Sequence, residues 1–592
     1  MSRKDEKLSL MRKRFAAGQT AMHDNRREAL EDIKFVNGDQ WPEEAKNQRG
    51  KDTVELVINR TQATVKQVVN QQRQNRPAIR VRPVDSGSDK ATAEVIEGLV
   101  RNIEQQSNAE AVYDWGFEAA VNGGYGYWRV VTEYCDPDSF DQEIRIKRIR
   151  NRFDVTFDPK AEETLKEDAR WAFVHKNRDK AELQKKHKKA NFAGIDGSAS
   201  GEFSGWWDEE TARVAEYFYK VKRDKLLVAF SDGSVISVPE RIEGEKIDPA
   251  EYIDLYTQQN GVTRLRERVS HYDQVKWCLA TATEILEERD WAGKYIPIVP
   301  VIGDEIDVEG KLHYAGLVRY MRDPARMYNY WLTKATRKVA LSPEAKILVT
   351  AKQMEGYEKF WDSANTDPRM YLPYNSINGE SDPKDIRPAQ LDSGFASMIA
   401  LSSDQLKEVS GIYDASLGAR GNETSGIAIN QRKQQGDNAN YHFLDNMNRS
   451  IAHTGRIVVD LIPTYYDTEK TARILGEDGS TKMVTLNKPY VDEETNQEVL
   501  YDMKAGKYDV VTEAGPGFAT KRQEAFDYMV QMFGNNPEML SMFGDLLFQN
   551  ADLPNADKIA ERFAQMQGQG GDANPNQGIP GIPPGMAPGI PQ

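Results

Sequence analysis

Two spacings of apolar residues alternate along this chain. Where they fall three and four apart the pattern predicts helices, and where they fall two apart it predicts strands. Residues 1–36 read as one highly charged helix, broken by "NGDQWP" at Asn37–Pro42. A second helix starts near Asn59, with Ile58, Val65, Val68, Val69 and Gln72 on one side, and stops before Pro77, because the residue before a proline avoids the helical region. "AIRVRPV" alternates and reads as a strand; Val95, Ile96, Leu99, Val100 and Ile103 mark another helix. A further helix precedes "NGGYGYW", where Gly123 and Gly124 turn the chain into a strand.

Residues 126–240 are strand-rich. "EIRIKRI" alternates, and "LLVAFSDGSVISV" carries Asp232-Gly233 between two apolar runs, a hairpin signal. "VKWCLATATEIL" reads as one strand with Val275, Trp277 and Leu279 on a shared face. This half of the chain is α+β. Beyond "KYIPIVPVIG", Asp323-Pro324 predicts a helix start, with aspartate as cap and proline in the first turn. That helix runs to Ser342; "KILVTA" is a strand, a proline-punctuated stretch follows, and "GFASMIALSSDQLKEVSGIY" is helical again. The order is helix out, small β-containing insertion, helix back. "KTARILGEDGSTKMVTL" predicts a second hairpin, "KYDVVTEAGPGF" another extended segment, and the blocks from Phe526 to Met566 helices. The tail from Gln567 is Gly/Pro-rich and almost chargeless, and is expected to be disordered.

The segment from Ser425 to Phe443, "SGIAINQRKQQGDNANYHF", is polar on nearly every side, whereas Leu444, Met447, Ile451, Thr454, Val458 and Leu461 behind it form an apolar seam. A helix polar all round is exposed, bridges domains or is unstable. Two readings stay open: a glutamine-rich loop, or a helix whose first half lines a wide aqueous cavity while its second half packs.

Composition narrows the classes. The chain has 592 residues, 39% hydrophobic and 29% charged, which fits several folded domains. Its longest apolar run, Ile296–Ile302, is broken by prolines and falls far short of the ~20 residues that span a bilayer. The charged N-terminus has no apolar core, so no secretory signal is expected. Two distant cysteines, Cys135 and Cys278, offer neither a disulfide framework nor a Cys-rich zinc motif. The net charge of −14 lowers the expectation of tight phosphate binding, without excluding a protein that lets DNA slide past.

Catalytic patterns fail one by one. "WAGKY" and "KAGKYD" lack the glycine spacing and the Ser/Thr of a phosphate-binding loop. His442 and His453 stand about three helical turns apart, too far to share a metal. "GSASG" has alanine where a nucleophile would be, and "DPDSFDQE" lacks the glycine of a calcium loop, so it reads as a solvated turn. "KKHKK" at Lys185–Lys189 reads as a solvated helix end, and Tyr328, Tyr330 and Trp331 as core or subunit packing. Neither a cofactor nor a metal is expected.

Several blocks in one order, "FVNGDQWP", "INRTQATVKQVVNQQRQNRPAIRVRP", "YIPIVPVIGDE", "GLVRYMRDPARMYNYWLTKATRKVALSPEAKILV" and "GNETSGIAINQRKQQGDNAN", resemble the portal, or head-to-tail connector, proteins of short-tailed bacteriophages. The resemblance runs from about residue 30 to about residue 565. It implies a ring of twelve copies at one capsid vertex, through which a separate terminase drives double-stranded DNA. It also implies no enzyme activity in this chain. The implied divisions are an N-terminal helical segment (1–36), an α+β wing (37–315), a stem helix (316–342), a clip (343–390) and a second stem helix (391–416). A tunnel loop with the long helix (417–463), a β-rich wing return (464–518), a helical crown (519–566) and the tail (567–592) complete them. Channel-lining candidates are Arg420, Asn422, Gln431, Arg432, Lys433 and Gln435; docking candidates on the clip are Lys346, Lys352, Glu355, Arg369 and Tyr371. The implied partners are the terminase large subunit, tail adaptors, and the major capsid and scaffolding proteins, in a virion assembled in the host cytoplasm. Some relatives carry a helical barrel after the crown; this Gly/Pro tail carries no such expectation. The competing readings are another ring-forming head–tail adaptor and a nucleic-acid hydrolase.

Overall fold

A computed structural model describes residues 3–48, 55–74, 76–84, 89–188, 210–238, 241–242, 245–246, 248–340, 346–363, 371–379, 381–386, 393–412, 439–476, 481–491, 498–513 and 529–530. The fold is α+β. Two units divide the chain. The larger comprises Met1–Arg73, Ile79–Ile474 and Met483–Thr512, and the smaller Gln74–Ala78, Leu475–Lys482 and Glu513–Gln592. The larger unit carries the principal sheet and the helices Leu317–Ala340 and Ser393–Ser410.

Its principal sheet is antiparallel. In order across it lie Ile285–Asp290, Arg264–Ala280, Thr211–Phe230, Trp171–Asp179 and Val155–Phe157, with Val235–Val238 pairing on Thr211–Phe230. A second sheet sets Tyr125–Tyr134 between Ile298–Ile302 and Gln142–Arg148. The segment read as one strand through "VKWCLATATEIL" is two. The chain turns at Thr281–Glu284, where the Thr281 N–H donates to the Glu284 carbonyl at 2.8 Å, and Ile285–Asp290 returns alongside. The Thr281 hydroxyl satisfies that turn by accepting from the Thr283 and Glu284 N–H groups, a local signal that alternation alone hides.

Local chemistry explains the other boundaries. Asp89 caps Lys90–Ser107 by accepting from the Thr92 N–H, and Asn108 ends it in the left-handed conformation at φ 48°. Gly124 turns the next helix into strand at φ +88°, where an added Cβ would stand 2.8 Å from the Ala315 backbone nitrogen. The strand it releases carries Trp128, fully buried, whose indole N–H donates to Thr454 on the helix Tyr441–Tyr465 at 2.8 Å. Met447, Ile451, Val458 and Leu461 of that helix are buried in the same core, as its apolar seam predicts. His453 on the same helix is buried, 3.3 Å from Glu167.

The N-terminal helix, Arg3–Val36, is as charged as its sequence reads, yet it buries one side. Met11 and Phe15 pack on Trp171, Phe173 and Tyr217 of the principal sheet, with the Phe15 and Phe173 rings edge to face at 5.4 Å. His175 lies beneath Phe15, 7% exposed. Burial, with Arg213 and Arg26 nearby, pushes its pKa down to about 3. The folded value is thus below the unfolded one of about 6.5. His175 therefore favours the fold above that pH, and the benefit fades as pH falls from 6.5 towards 3. The expected slope is up to about 1.4 kcal/mol per pH unit. Urea midpoints across that window should fall more steeply for the native chain than for His175→Gln; equal slopes would place His175 in solvent.

Candidate functional site: the stem and its root

The outgoing helix spans Leu317–Ala340, and Pro324 lies inside it. The expectation that it starts at Asp323-Pro324 is corrected here. Leu317, Val318 and Met321 are buried against the body, and Arg319 and Arg322 are pinned by carboxylates. Those contacts hold two further turns helical ahead of the proline, a tertiary override of its breaking tendency. The returning helix is Ser393–Ser410. The two pack together: Trp331 meets Phe395 edge to face at 5.9 Å, and Lys338 sits over the same Phe395 ring at 5.3 Å.

Two polar clusters fix the root. In the first, the N-terminal helix offers Glu28, Glu31 and Asp32. Arg322 places Nε 2.8 Å from Asp32 and Nη2 2.7 Å from Glu28, and also reaches Glu31; Arg319 donates to Asp32 at 2.9 Å. Asp32 is fully buried and the Arg322 side chain 9% exposed. Burial pushes the Asp32 pKa up against the pull of Arg319. At Glu28, burial is outweighed by the hydrogen bond from Arg322 and the charges of both arginines, which hold its carboxyl below the usual value.

The second cluster is neutral. Asn329, 1% exposed, donates to Gln40 Oε1 at 2.6 Å and accepts from the Ile58 N–H at 3.0 Å. Gln40 donates to Asn59 at 3.0 Å and to the Phe35 carbonyl at 3.2 Å. Beside it Arg60 lies over the Tyr328 ring at 4.2 Å, donates to its hydroxyl at 2.9 Å, and donates to Ser403 on the returning helix at 2.6 Å. "NGDQWP", "INR" and "ARMYNYW" are far apart in sequence but meet here, so one arginine braces both stem helices.

Between the helices, Lys346–Leu348 pairs antiparallel with Lys384–Ile386. The strand expected through "KILVTA" ends at Leu348, and short helices follow at Ala351–Met354 and Glu358–Asp362. Buried Gln353 ties the first of them to the far side of the insertion, donating to the Ser381 carbonyl at 3.0 Å and accepting from the Thr350 N–H at 3.1 Å. Trp361 donates to the Pro373 carbonyl at 2.9 Å.

Of the docking candidates, Lys352 and Glu355 are exposed and adjacent on this insertion, and Tyr371 is 73% exposed. Lys346 is the first residue of the strand pair, with nothing described of its side chain, and Arg369 lies outside the described residues. So do the channel candidates Arg420, Asn422, Gln431, Arg432, Lys433 and Gln435, with the first half of the polar segment and all of the crown but residues 529–530. The root cluster itself was missed in sequence; its signal was three amide-bearing motifs in otherwise apolar surroundings. Elsewhere, Lys186 and His187 of the basic run lie 3.5 Å from Glu287, and Tyr328 is buried while Tyr330 is 38% exposed. Among the described residues no group of side chains could hold a metal ion, and no helix is long and apolar enough to cross a membrane.

The site is thus an α+β body clamping a helical hairpin with a small β insertion between its helices. The chain belongs to the Phage P22-like portal protein family, whose pattern it matches over residues 12–580. It is 23% identical over 564 residues to the "Portal protein" of Acyrthosiphon pisum secondary endosymbiont phage 1, covering 90% of this chain and 77% of that protein. It is thus a phage portal protein, a structural component of the virion capsid.

Proposed function

We propose that twelve copies form a ring at one capsid vertex, a conduit for double-stranded DNA during packaging and ejection. The terminase large subunit docks on the insertion between the stem helices and tail adaptors replace it, while the outer body meets the major capsid and scaffolding proteins as the virion assembles in the host cytoplasm. The observation carrying this reading is the family match across nearly the whole chain, supported by a helix pair whose exposed insertion stands apart from its braced root. In this reading residues 37–315 and 464–518 are the wing, 316–342 and 391–416 the stem, 343–390 the clip, 417–463 the tunnel loop and long helix, and 519–566 the crown.

Arg420, Asn422, Gln431, Arg432, Lys433 and Gln435 face the channel. Amides and scattered bases on an acidic chain give shallow phosphate contacts, which sliding requires. Electron microscopy of the purified protein should show rings with a central hole wide enough for duplex DNA; a compact monomer overturns the reading. Reversing charge at Arg420 and Lys433, with Gln431→Glu, should reduce DNA packaged per head while rings still form. Loss of assembly instead would move those residues to the subunit interface. Lys352→Glu with Tyr371→Ala should weaken terminase capture by rings that otherwise assemble normally.

A further inference from the structure

The strands Thr211–Phe230 and Arg264–Ala280 stay paired far beyond the rest of their sheet. Residues opposite one another in an antiparallel pair share a face, so the register sorts this ribbon into two sides. One side carries Leu226, Val228 and Phe230. The helix Pro249–Asn260 covers it through Ile253 and Tyr256, with the Phe230 and Tyr256 rings 4.8 Å apart.

The other side carries the pairs Arg223 with Tyr272, Lys225 with Ser270, Leu227 with Arg268, and Ala229 with Arg266. Val235 continues it onto the third strand. These are four bases and no acid, in a chain of net charge −14. Lys225 sits 5.4 Å over Tyr272, and Arg266, Arg268 and Tyr272 are exposed. Near the base of this side, Leu8 of the N-terminal helix and Val221 of the ribbon pack against one cluster with Tyr217 and Tyr219. No hydrophobic cluster among the described residues takes in Leu227, Ala229 or Val235.

A surface of the opposite character lies elsewhere on the same chain. The turn joining Tyr125–Tyr134 to Gln142–Arg148 holds Asp136, Asp138 and Asp141 and no base. Its backbone is built: Cys135 N–H donates to the Asp141 carbonyl at 2.9 Å, and Ser139 N–H to the Asp136 carbonyl at 3.1 Å. It presents Phe140, 96% exposed, and Tyr134, 62% exposed. The two surfaces do not meet within one chain. Phe140 and Asp141 share a hollow with Arg289 and Asp290, and Asp290 pairs with Lys276. Arg268 lies roughly 26 Å further along that strand at the usual rise per residue.

We propose that the acidic, aromatic turn of one copy docks on the cationic strand face of a second copy. The contact joins two different surfaces of the same chain, so it is heterologous, and repeated it closes a ring. It rests on the ring reading above and names one of the contacts that make that ring. Phe140 packs against Leu227 and Tyr272 while the aspartates meet Arg223, Arg266 and Arg268.

The native Cys135 in the turn is exposed and Cys278 is buried, which supplies the probe. Full-length Arg268→Cys, oxidised with copper phenanthroline, should give a ladder of disulfide-linked multimers on a non-reducing gel, abolished by Cys135→Ser. Arg266→Glu with Arg268→Glu should lower ring yield about tenfold at low salt, as expected when steering charges are reversed. Adding Asp136→Lys and Asp138→Lys to that variant should restore it. Rings that form normally without a ladder and without a charge effect overturn this contact and leave the ring reading standing. A native chain that is monomeric at every concentration overturns both. Arg266→Glu with Arg268→Glu variants that form rings but lose binding to labelled duplex DNA would assign the face to nucleic acid and overturn the proposal.

Discussion

Replacing Arg322 with leucine lowers folding stability by about 3–5 kcal/mol, the range for breaking a buried ion pair from one side. The side chain is 9% exposed and Asp32, against its Nε at 2.8 Å, is fully buried. Removing the guanidinium leaves that carboxylate with Arg319 alone, and frees Glu28 from its 2.7 Å partner. An exposed pair would contribute no more than about 1 kcal/mol, so burial decides the size. The cost is in desolvation rather than in attraction, and this gives the second arm of the test. Asp32→Leu with Arg322→Leu removes both charges together and should recover most of the loss, because Arg319 and Glu28, 3.6 Å apart, are left to pair with each other. Guanidinium midpoints of the native chain and the three variants form a double-mutant cycle. Additive losses from the two single changes would mean that the residues do not act as a pair. Arg322 also joins the N-terminal helix to the outgoing stem helix, so hydrogen exchange in Arg3–Val36 should quicken in the single variant and recover in the double.

Periodicity read well wherever burial is one-sided. The seam from Met447 to Leu461 and the stripe Val65, Val68, Val69 and Gln72 are buried as their spacing requires, though Ile58, placed in the same stripe, lies ahead of the helix and is exposed, since water on one side and core on the other leave a residue-level trace. It failed where long-range contacts outvote local preference. Pro324 is helix-interior because Leu317, Val318 and Met321 are held by the body and Arg322 by carboxylates almost three hundred residues earlier, and no window around the proline contains that information. The turn at Thr281–Glu284 was invisible for another reason, as alternating apolar residues continue straight through it. The root cluster shows a third kind of limit. Gln40, Asn59 and Asn329 each look like ordinary polar residues of loop or helix, and become informative only when the fold buries them together. The portal resemblance marked their segments without saying what the residues do.

Asn329→Leu should cost about 2–5 kcal/mol, second only to the loss at Arg322. Leucine fills a similar volume, so little cavity opens, and the effect is one of stranded hydrogen-bonding groups. The Ile58 N–H loses its acceptor at 3.0 Å and Gln40 Oε1 its donor at 2.6 Å. Each unsatisfied buried group costs about 1–3 kcal/mol. Gln40 cannot simply turn to compensate, because its Nε2 already donates to Asn59 and the Phe35 carbonyl. Asn329→Asp separates shape from polarity. It keeps the acceptor for Ile58 but sets a carboxylate oxygen against Gln40 Oε1, so it should destabilise as much as leucine at neutral pH and less at acid pH, where protonation supplies a donor. Thermal midpoints at two pH values check this, and equal behaviour of Leu and Asp at both would mean that only packing matters there. A loosened Asn329 also frees the segment leading into Arg60, which braces Tyr328 and Ser403 on the two stem helices. The stem should then lose its fixed setting against the body before the body unfolds, and proteolysis would cut first within residues 343–390.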